Sequence, residues 1–402
     1  MKKYLSLLII FFCIFLCGCN QKKDTRTILK FSTWGSRTEY SILTKVIEEY
    51  EKNNPNIKIE LIHVPENYFR KLHILYAAKT APDVVFVNNT YAPLYIRADL
   101  LENLNGYFDE SQFYKSSIDC FKYDNNLYAI PRDISNLVLY INKNIVKHPE
   151  KIKTVNDLRN IAKEVSKNGI FGLNYEKNPL FWLYFLEYFN GGILTDDGKN
   201  VILNSEESIK GLILYRDMIN QDNSIPKNYQ MSSMTSAQMF INGQLAMYLG
   251  GRWMVPKFRE TIKFDWDIIP FPQTQISKNL TDASGWAISK SSENKEEAIN
   301  FIKYMSSEKV IKEFTKTGLI TPARIDAANS KEFLSPNLKP KNSKVFTDIL
   351  LKSKPTPVNS SYSKIIDETT KIAEKIFNNN INPNEILDEK IIQKLQKYCD
   401  EE

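Results

Sequence analysis

Between residues 28 and 87 the chain alternates two hydrophobic patterns, and that alternation restricts the available folds more than any other feature. ILKFST from Ile28 reads as a strand, residues 39–51 as a helix, IKIELIHV from Ile57 as a second strand, residues 68–78 as a helix, and PDVVFV from Pro82 as a third strand. The last is apolar without interruption from Val84 to Val87. Such a run suits a strand covered on both faces, as strands of a parallel sheet are. Strand and helix in turn imply an α/β sheet with crossover helices.

The pattern continues. After YAIP at 128–131, LVLYINK from Leu137 is another strand, and Thr154 opens a helix as its N-cap, with Asp157 three residues on to meet the positive helix end. Helices at 180–189, 205–220 and 236–242 precede the strand LAMYLG, where Gly250 and Gly251 let the backbone turn. DWDIIP from Asp265 and GWAIS from Gly285 are two more short strands. Ala298, Phe301, Ile302 and Met305 share one face of an amphipathic helix. Past PTPVNS at Pro355 two helices are expected, near 363–377 and 383–397.

The start of the chain reads differently. Lys2 and Lys3 precede an uncharged run over residues 4–16, which matches a secretory signal and is too short for a spanning helix of roughly 20 residues. Leu16, Gly18 and Cys19 resemble the bacterial lipobox, Leu-x-Gly-Cys. That resemblance implies cleavage before Cys19 and a diacylglyceryl thioether on it, which anchors the chain outside the cell membrane. The other reading is plain secretion with an incidental cysteine. Residues 1–18 are then the signal peptide and 19–27 a flexible polar tether.

Removing residues 1–18 from the 402 leaves 384, more than one typical core, so two domains of about 150–200 residues are expected. Hydrophobic content of 43% and charged content of 25% are those of an ordinary globular chain. The net charge of +6 includes Lys2 and Lys3, and the remaining lysines are spread among glutamates, so nothing points to nucleic acid. Cys120 and Cys399 remain after processing besides Cys19 and define no disulfide framework, although one bridge between them stays open. His63, His73 and His148 have no metal-ligand spacing, so neither metal nor cofactor is expected.

Nine stretches, in order, resemble the bacterial extracellular solute-binding protein family 1, the group of maltose-binding protein. They are FSTWG, NPNIKIEL, APDVVFV, LYAIPRDISNLVLYINKNI, TVNDL, FINGQLAMYLGGRW, IIPFP, SGWAISKSSENKEEAINFIKYMSS, and the helix pair after Ser361. The resemblance implies an α/β, two-lobe periplasmic-binding-protein-like fold of type II, each lobe a mixed sheet flanked by helices, with a hinge between them. Lobe 1 would take 28–133 and 284–321, and lobe 2 would take 134–283 and 322–402. It also implies a monomeric, non-enzymatic receptor that binds a solute, most simply a carbohydrate, between the lobes and serves the permease subunits of an ABC importer. Ligands of open α/β sheets do sit beyond the carboxyl ends of strands, and clefts between lobes are common sites.

Candidate contacts follow from that layout. Trp34, Trp253 and Trp286 stand at strand ends, where flat rings would take the C–H faces of a pyranose, or else pack in the core. Trp182 and Trp266 read as packing residues. Glu39 begins a helix, where the resemblance implies a residue facing the cleft and the helix dipole offers a structural alternative. Asp83 and Asn89 flank the third strand at what reads as a carboxyl-end edge, Asp83 either contacting ligand or capping local amides. Arg132 and Asp133 sit at the first expected crossing, where they touch ligand or latch the lobes. Arg252 is a weaker candidate, since relatives vary there, and Tyr362 begins a helix where maltose-type proteins carry a stacking aromatic. Three rivals stay open. Carboxylates at Glu39, Asp83 and Asp133 would suit a polyamine, and Arg132 with Arg252 a glycerol phosphate. A glycoside hydrolase would need two carboxylates about 5–9.5 Å apart. A lectin that does not close is the third.

Overall fold

The computed structural model describes residues 26–176 and 179–401, so Cys19, the signal and most of the tether lie outside the described residues. Among the described residues, twelve strands form two larger sheets and a hairpin. The first sheet holds β1 (Thr27–Thr33), β2 (Ile57–His63) and β3 (Val84–Asn88); the hairpin is β4 (Lys122–Tyr123) with β5 (Asn126–Leu127). β6 (Ile130–Ser135) belongs to the first sheet, whereas β7 (Val138–Asn142), β8 (Phe171–Tyr175), β9 (Leu245–Gly250) and β10 (Trp266–Pro270) make the second. β11 (Asn279–Ile288) and β12 (Ser353–Pro355) return to the first.

The order in the first sheet is β12-β11-β3-β1-β2, with β6 paired to β11, and β1 runs parallel to both β2 and β3. β3 is buried from Val84 to Val87, as its unbroken apolar run requires. The second sheet has the order β10-β7-β9-β8, in which β8 and β9 are parallel. β7 shows how a period of two divides a core. Leu139 and Ile141 enter one cluster with the helices Val155–Val165, Pro179–Tyr188, Glu206–Asn220 and Tyr362–Asn378; Val138 and Tyr140 enter another, on the opposite face, with Phe240, Phe258, Trp266 and Phe346.

Helix starts follow local chemistry. Ser36 and Glu39 form a reciprocal capping box on Arg37–Asn53, and Thr154 with Asp157 does the same on Val155–Val165. The C-terminal helical region departs from the expected pair: Tyr362–Asn378 is one helix, but the next breaks into Pro383–Ile386 and Glu389–Asp400, where Asp388 caps the second piece. GWAI closes a ten-residue strand, Asn279–Ile288, whose earlier part mixes polar and apolar residues, which hid it from an apolar pattern.

The connections between sheets are short and adjacent. Asn136 and Leu137 alone separate β6 from β7, and residues 271–278 separate β10 from β11. β11 pairs Asp282 with Ser135 and Asn279 with Ser353, so the three connecting regions lie side by side. Cys120 and Cys399 are both buried and no disulfide joins them.

Candidate functional site

Trp34 follows β1 directly and stays 40% exposed while resting edge-on against Phe86 (5.9 Å) and Phe69 (6.4 Å). The turn beneath it is tightly built. Gly35 has φ +152°, and a Cβ there would stand 3.1 Å from the Glu39 Cβ, so glycine is needed. Glu39 Oε2 accepts from the Ser36 amide at 2.8 Å, and Glu39 Oε1 lies 3.0 Å from Arg132 Nη2. Arg132 Nε donates to Asp133 Oδ2 at 2.6 Å, while the guanidinium lies over the rings of Phe86 (4.7 Å) and Phe314 (5.2 Å). Burial works against the Arg132 charge, but the Asp133 and Glu39 carboxylates outweigh it and raise its pKa. Burial raises Asp133, and Arg132 offsets part of that.

The second sheet presents a matching edge. β8 and β9 are parallel, so Tyr175 and Gly250 end on the same side. Trp253 follows and is 37% exposed; a Cβ on Gly251 would fall 1.9 Å from its ring. From Trp253 a row of aromatics runs inward. Phe181 meets Trp253 edge-on at 6.5 Å, stacks on Tyr175 at 5.5 Å, and Tyr175 stacks on Tyr215 at 5.2 Å. The row ends at a cavity of about 160 Å³ lined by Tyr175, Trp182, Tyr215, Met231 and Phe377 among others. Burial raises the pKa of both Tyr175 and Tyr215, so these phenols stay neutral.

Of the nine expected ligand contacts, Trp34 and Trp253 alone keep a broad exposed ring. Trp286 is 1% exposed and pairs across the sheet with Phe86, because its place in the β11 alternation turns it into the first core. Asp83 precedes β3 and therefore sits at the amino end of that strand. Its carboxylate accepts from the Lys30 amide (2.8 Å) and the Ser292 hydroxyl (2.6 Å), which fastens β1 to the segment after β11. Asn89 is 1% exposed and is consumed by β11: it donates to Asp282 Oδ1 and accepts from the Ala283 amide. Arg252 is 2% exposed, lies 4.1 Å over Phe333 and donates to the Phe333 carbonyl; burial drives its pKa down to about 9. Tyr362 is a member of the second core. Glu39 and Asp133 are engaged by Arg132. Phe181 escaped sequence reading because NPLFWLYFLEYF is aromatic on most sides of its helix, a pattern of plain core, and its partners Tyr175 and Tyr215 come from β8 and the helix Glu206–Asn220. Among the described residues no cluster of His, Cys, Asp and Glu could hold a metal ion.

Residues 45–340 match the family model of the bacterial extracellular solute-binding proteins. A galactooligosaccharide-binding protein of Bacillus subtilis (strain 168) is 20% identical over 390 residues, covering 93% of this chain and 91% of its own length. A multiple sugar-binding protein of Streptococcus mutans is 21% identical over 329 residues, 75% of this chain and 77% of its own. Among solved structures, an ABC substrate-binding protein from Listeria monocytogenes in complex with cycloalternan superposes with a TM-score of 0.80 at 25% identity, over 94% of this chain and 98% of that one. The maltose-bound MalE3 of T. maritima superposes at 0.76 with 19% identity, over 93% and 99%. With two helix-flanked sheets joined by adjacent crossings, and with the family match spanning most of its length, this chain belongs to the bacterial extracellular solute-binding proteins and has their two-lobe type II fold.

Proposed function

We propose that this protein is the carbohydrate receptor of an ABC importer, capturing an oligosaccharide outside the cytoplasmic membrane between Trp34 on one lobe and Trp253 on the other. The observation that carries this reading is the pair of exposed indoles at the carboxyl ends of β1 and β9, one from each sheet. The charged side chains that would favour other cargo are already engaged. Glu39 and Asp133 face Arg132, Asp83 holds local donors, and Arg252 is buried against Phe333. This disfavours a polyamine or phosphate ester and leaves neutral aromatic faces, the chemistry of sugar C–H stacking. Relatives bearing the names galactooligosaccharide-binding and multiple sugar-binding protein point the same way.

Binding is a population shift. A ligand that touches both lobes stabilises the closed arrangement by its differential affinity, and closure reports occupancy to the permease subunits. A micromolar dissociation constant corresponds to about −8.2 kcal/mol. Stacked rings and edge hydrogen bonds supply that once closure costs are met. The lobes are drawn at 28–133 with 284–321 and at 134–283 with 322–402, and diacylglycerol on Cys19 holds the receptor at the membrane, since two acyl chains anchor where one does so marginally. No catalytic step is assigned.

The test is a thermal-shift and calorimetric screen of galactooligosaccharides, maltose, maltotriose, spermidine and glycerol phosphate. A sugar is expected to raise the melting temperature and to shrink the radius of gyration in solution scattering. Binding of spermidine or glycerol phosphate alone, or steady release of shorter sugars from the oligosaccharides, would replace this reading.

A further inference from the structure

Tyr40 is the fourth residue of the helix Arg37–Asn53, yet 43% of it is exposed. Its ring packs on His63, with centroids 4.8 Å apart and planes tilted by 39°. His63 ends β2, and its Nε2 lies 2.8 Å from the carbonyl of Gly35, inside the turn that presents Trp34. A carbonyl only accepts, so Nε2 carries the proton in that bond and Nδ1 is left as an acceptor in the neutral ring. The helix starts where β1 stops, and β2 runs parallel to β1, so its first turn, the end of β2 and Trp34 share one carboxyl edge. Trp34 and Tyr40 thus flank a single braced turn.

A half-exposed tyrosine held against another ring is a stacking surface whose ordering cost has largely been met before ligand arrives. We infer that Tyr40 and His63 form a second carbohydrate platform on the first lobe, beyond Trp34, which selects oligosaccharides long enough to reach both rings over mono- and disaccharides. The phenyl face takes a pyranose C–H face, and the phenol hydroxyl and His63 Nδ1 serve the hydroxyls at its edge. This rests on the sugar reading of the site proposed above.

The experiment compares chain lengths. The full chain in detergent, as wild type, Tyr40→Ala, Tyr40→Phe and Trp34→Ala, is titrated with glucose, maltose, maltotriose and longer maltodextrins, and with galactooligosaccharides of matched lengths. In the series that binds, Tyr40→Ala is expected to weaken the longer members about fivefold, the scale of one lost ring contact. Glucose and the disaccharide should stay within about twofold of wild type on the same scale. Tyr40→Phe should keep most of the long-chain affinity, and Trp34→Ala should weaken every length. Equal losses at all lengths would mean that Tyr40 only shapes the Trp34 turn, and no loss at any length would remove the platform outright. Unchanged binding with reduced uptake in cells would make Tyr40 part of a partner-docking surface instead. A wild-type chain that binds no carbohydrate would bring down the sugar reading itself and this inference with it.

Discussion

Replacing Arg132 with methionine tests the ion triad at the base of the Trp34 turn. Arg132 is 6% and Glu39 7% exposed, and the two contacts to the guanidinium are 3.0 and 2.6 Å. At an effective dielectric near 20, unit charges about 3 Å apart attract by roughly 5 kcal/mol per pair. Desolvation of each ion costs several kcal/mol, so the intact triad is close to neutral in net stability. The variant keeps the burial cost of both carboxylates and loses the cation that compensates it. The expected loss is about 3–5 kcal/mol at pH 7. Burial already raises the folded-state pKa of Asp133, and without Arg132 it rises further above its unfolded value. The penalty is then absent below the ordinary carboxylate range near 4 and grows as pH rises through the raised value. The deficit relative to wild type should therefore shrink between pH 7 and pH 5, and the triple variant Arg132→Met/Glu39→Gln/Asp133→Asn should recover most of it. Urea denaturation followed by tryptophan fluorescence at the two pH values measures this. A loss below about 1 kcal/mol at pH 7, the scale of an exposed pair, or equal deficits at both pH values, would refute the reasoning.

Three further outcomes are expected. Trp286→Ala should cost about 3–5 kcal/mol as a core truncation, whereas Trp253→Ala should change stability by less than about 1 kcal/mol while weakening ligand binding at least tenfold on the scale of a central aromatic contact; calorimetric titration and thermal melts separate the two effects. Glu187 is 4% exposed and lies 3.0 Å from Lys354, and burial pushes its pKa up from 4.5 to about 7. Its stabilising contribution is complete below 4.5 and lost as pH rises through about 7, so Glu187→Gln should remove up to about 3 kcal/mol of the decline between pH 5 and pH 8 seen in denaturant titrations. Gly285→Ala would place a Cβ 2.1 Å from the Ile130 carbonyl on the paired strand. It should lower stability by about 3 kcal/mol, and hydrogen exchange should locate the damage in β6 and β11.

Much of the architecture was legible because it is local. The unbroken run at Val84–Val87 and the capping residue Thr154 with Asp157 each act on neighbours a few residues away, and the structure uses them there. The order of the family stretches was equally readable, since it depends on residue identity and not on contacts. The site was legible only in part. Trp34 and Trp286 look alike in sequence, each beside a strand, yet one is 40% and the other 1% exposed. The difference lies in whether the residue is within the pleat, where pairing with β3 sets its face, or one step beyond the strand end.

Two polar candidates are taken up by neighbouring strands for a related reason. Asp83 and Asn89 flank the same strand, but strand direction places Asp83 at the amino edge and β11 occupies Asn89. Tyr40 drew no notice on an apolar helix face, because its partner His63 comes from the next strand. Sequence alone determined that this chain builds alternating, capped α/β units of a known kind, for propensity and periodicity are properties of short segments. Only the tertiary structure decided which acids are neutralised by Arg132 and which rings stay open to a guest, because partners from distant segments meet only when the sheets are assembled.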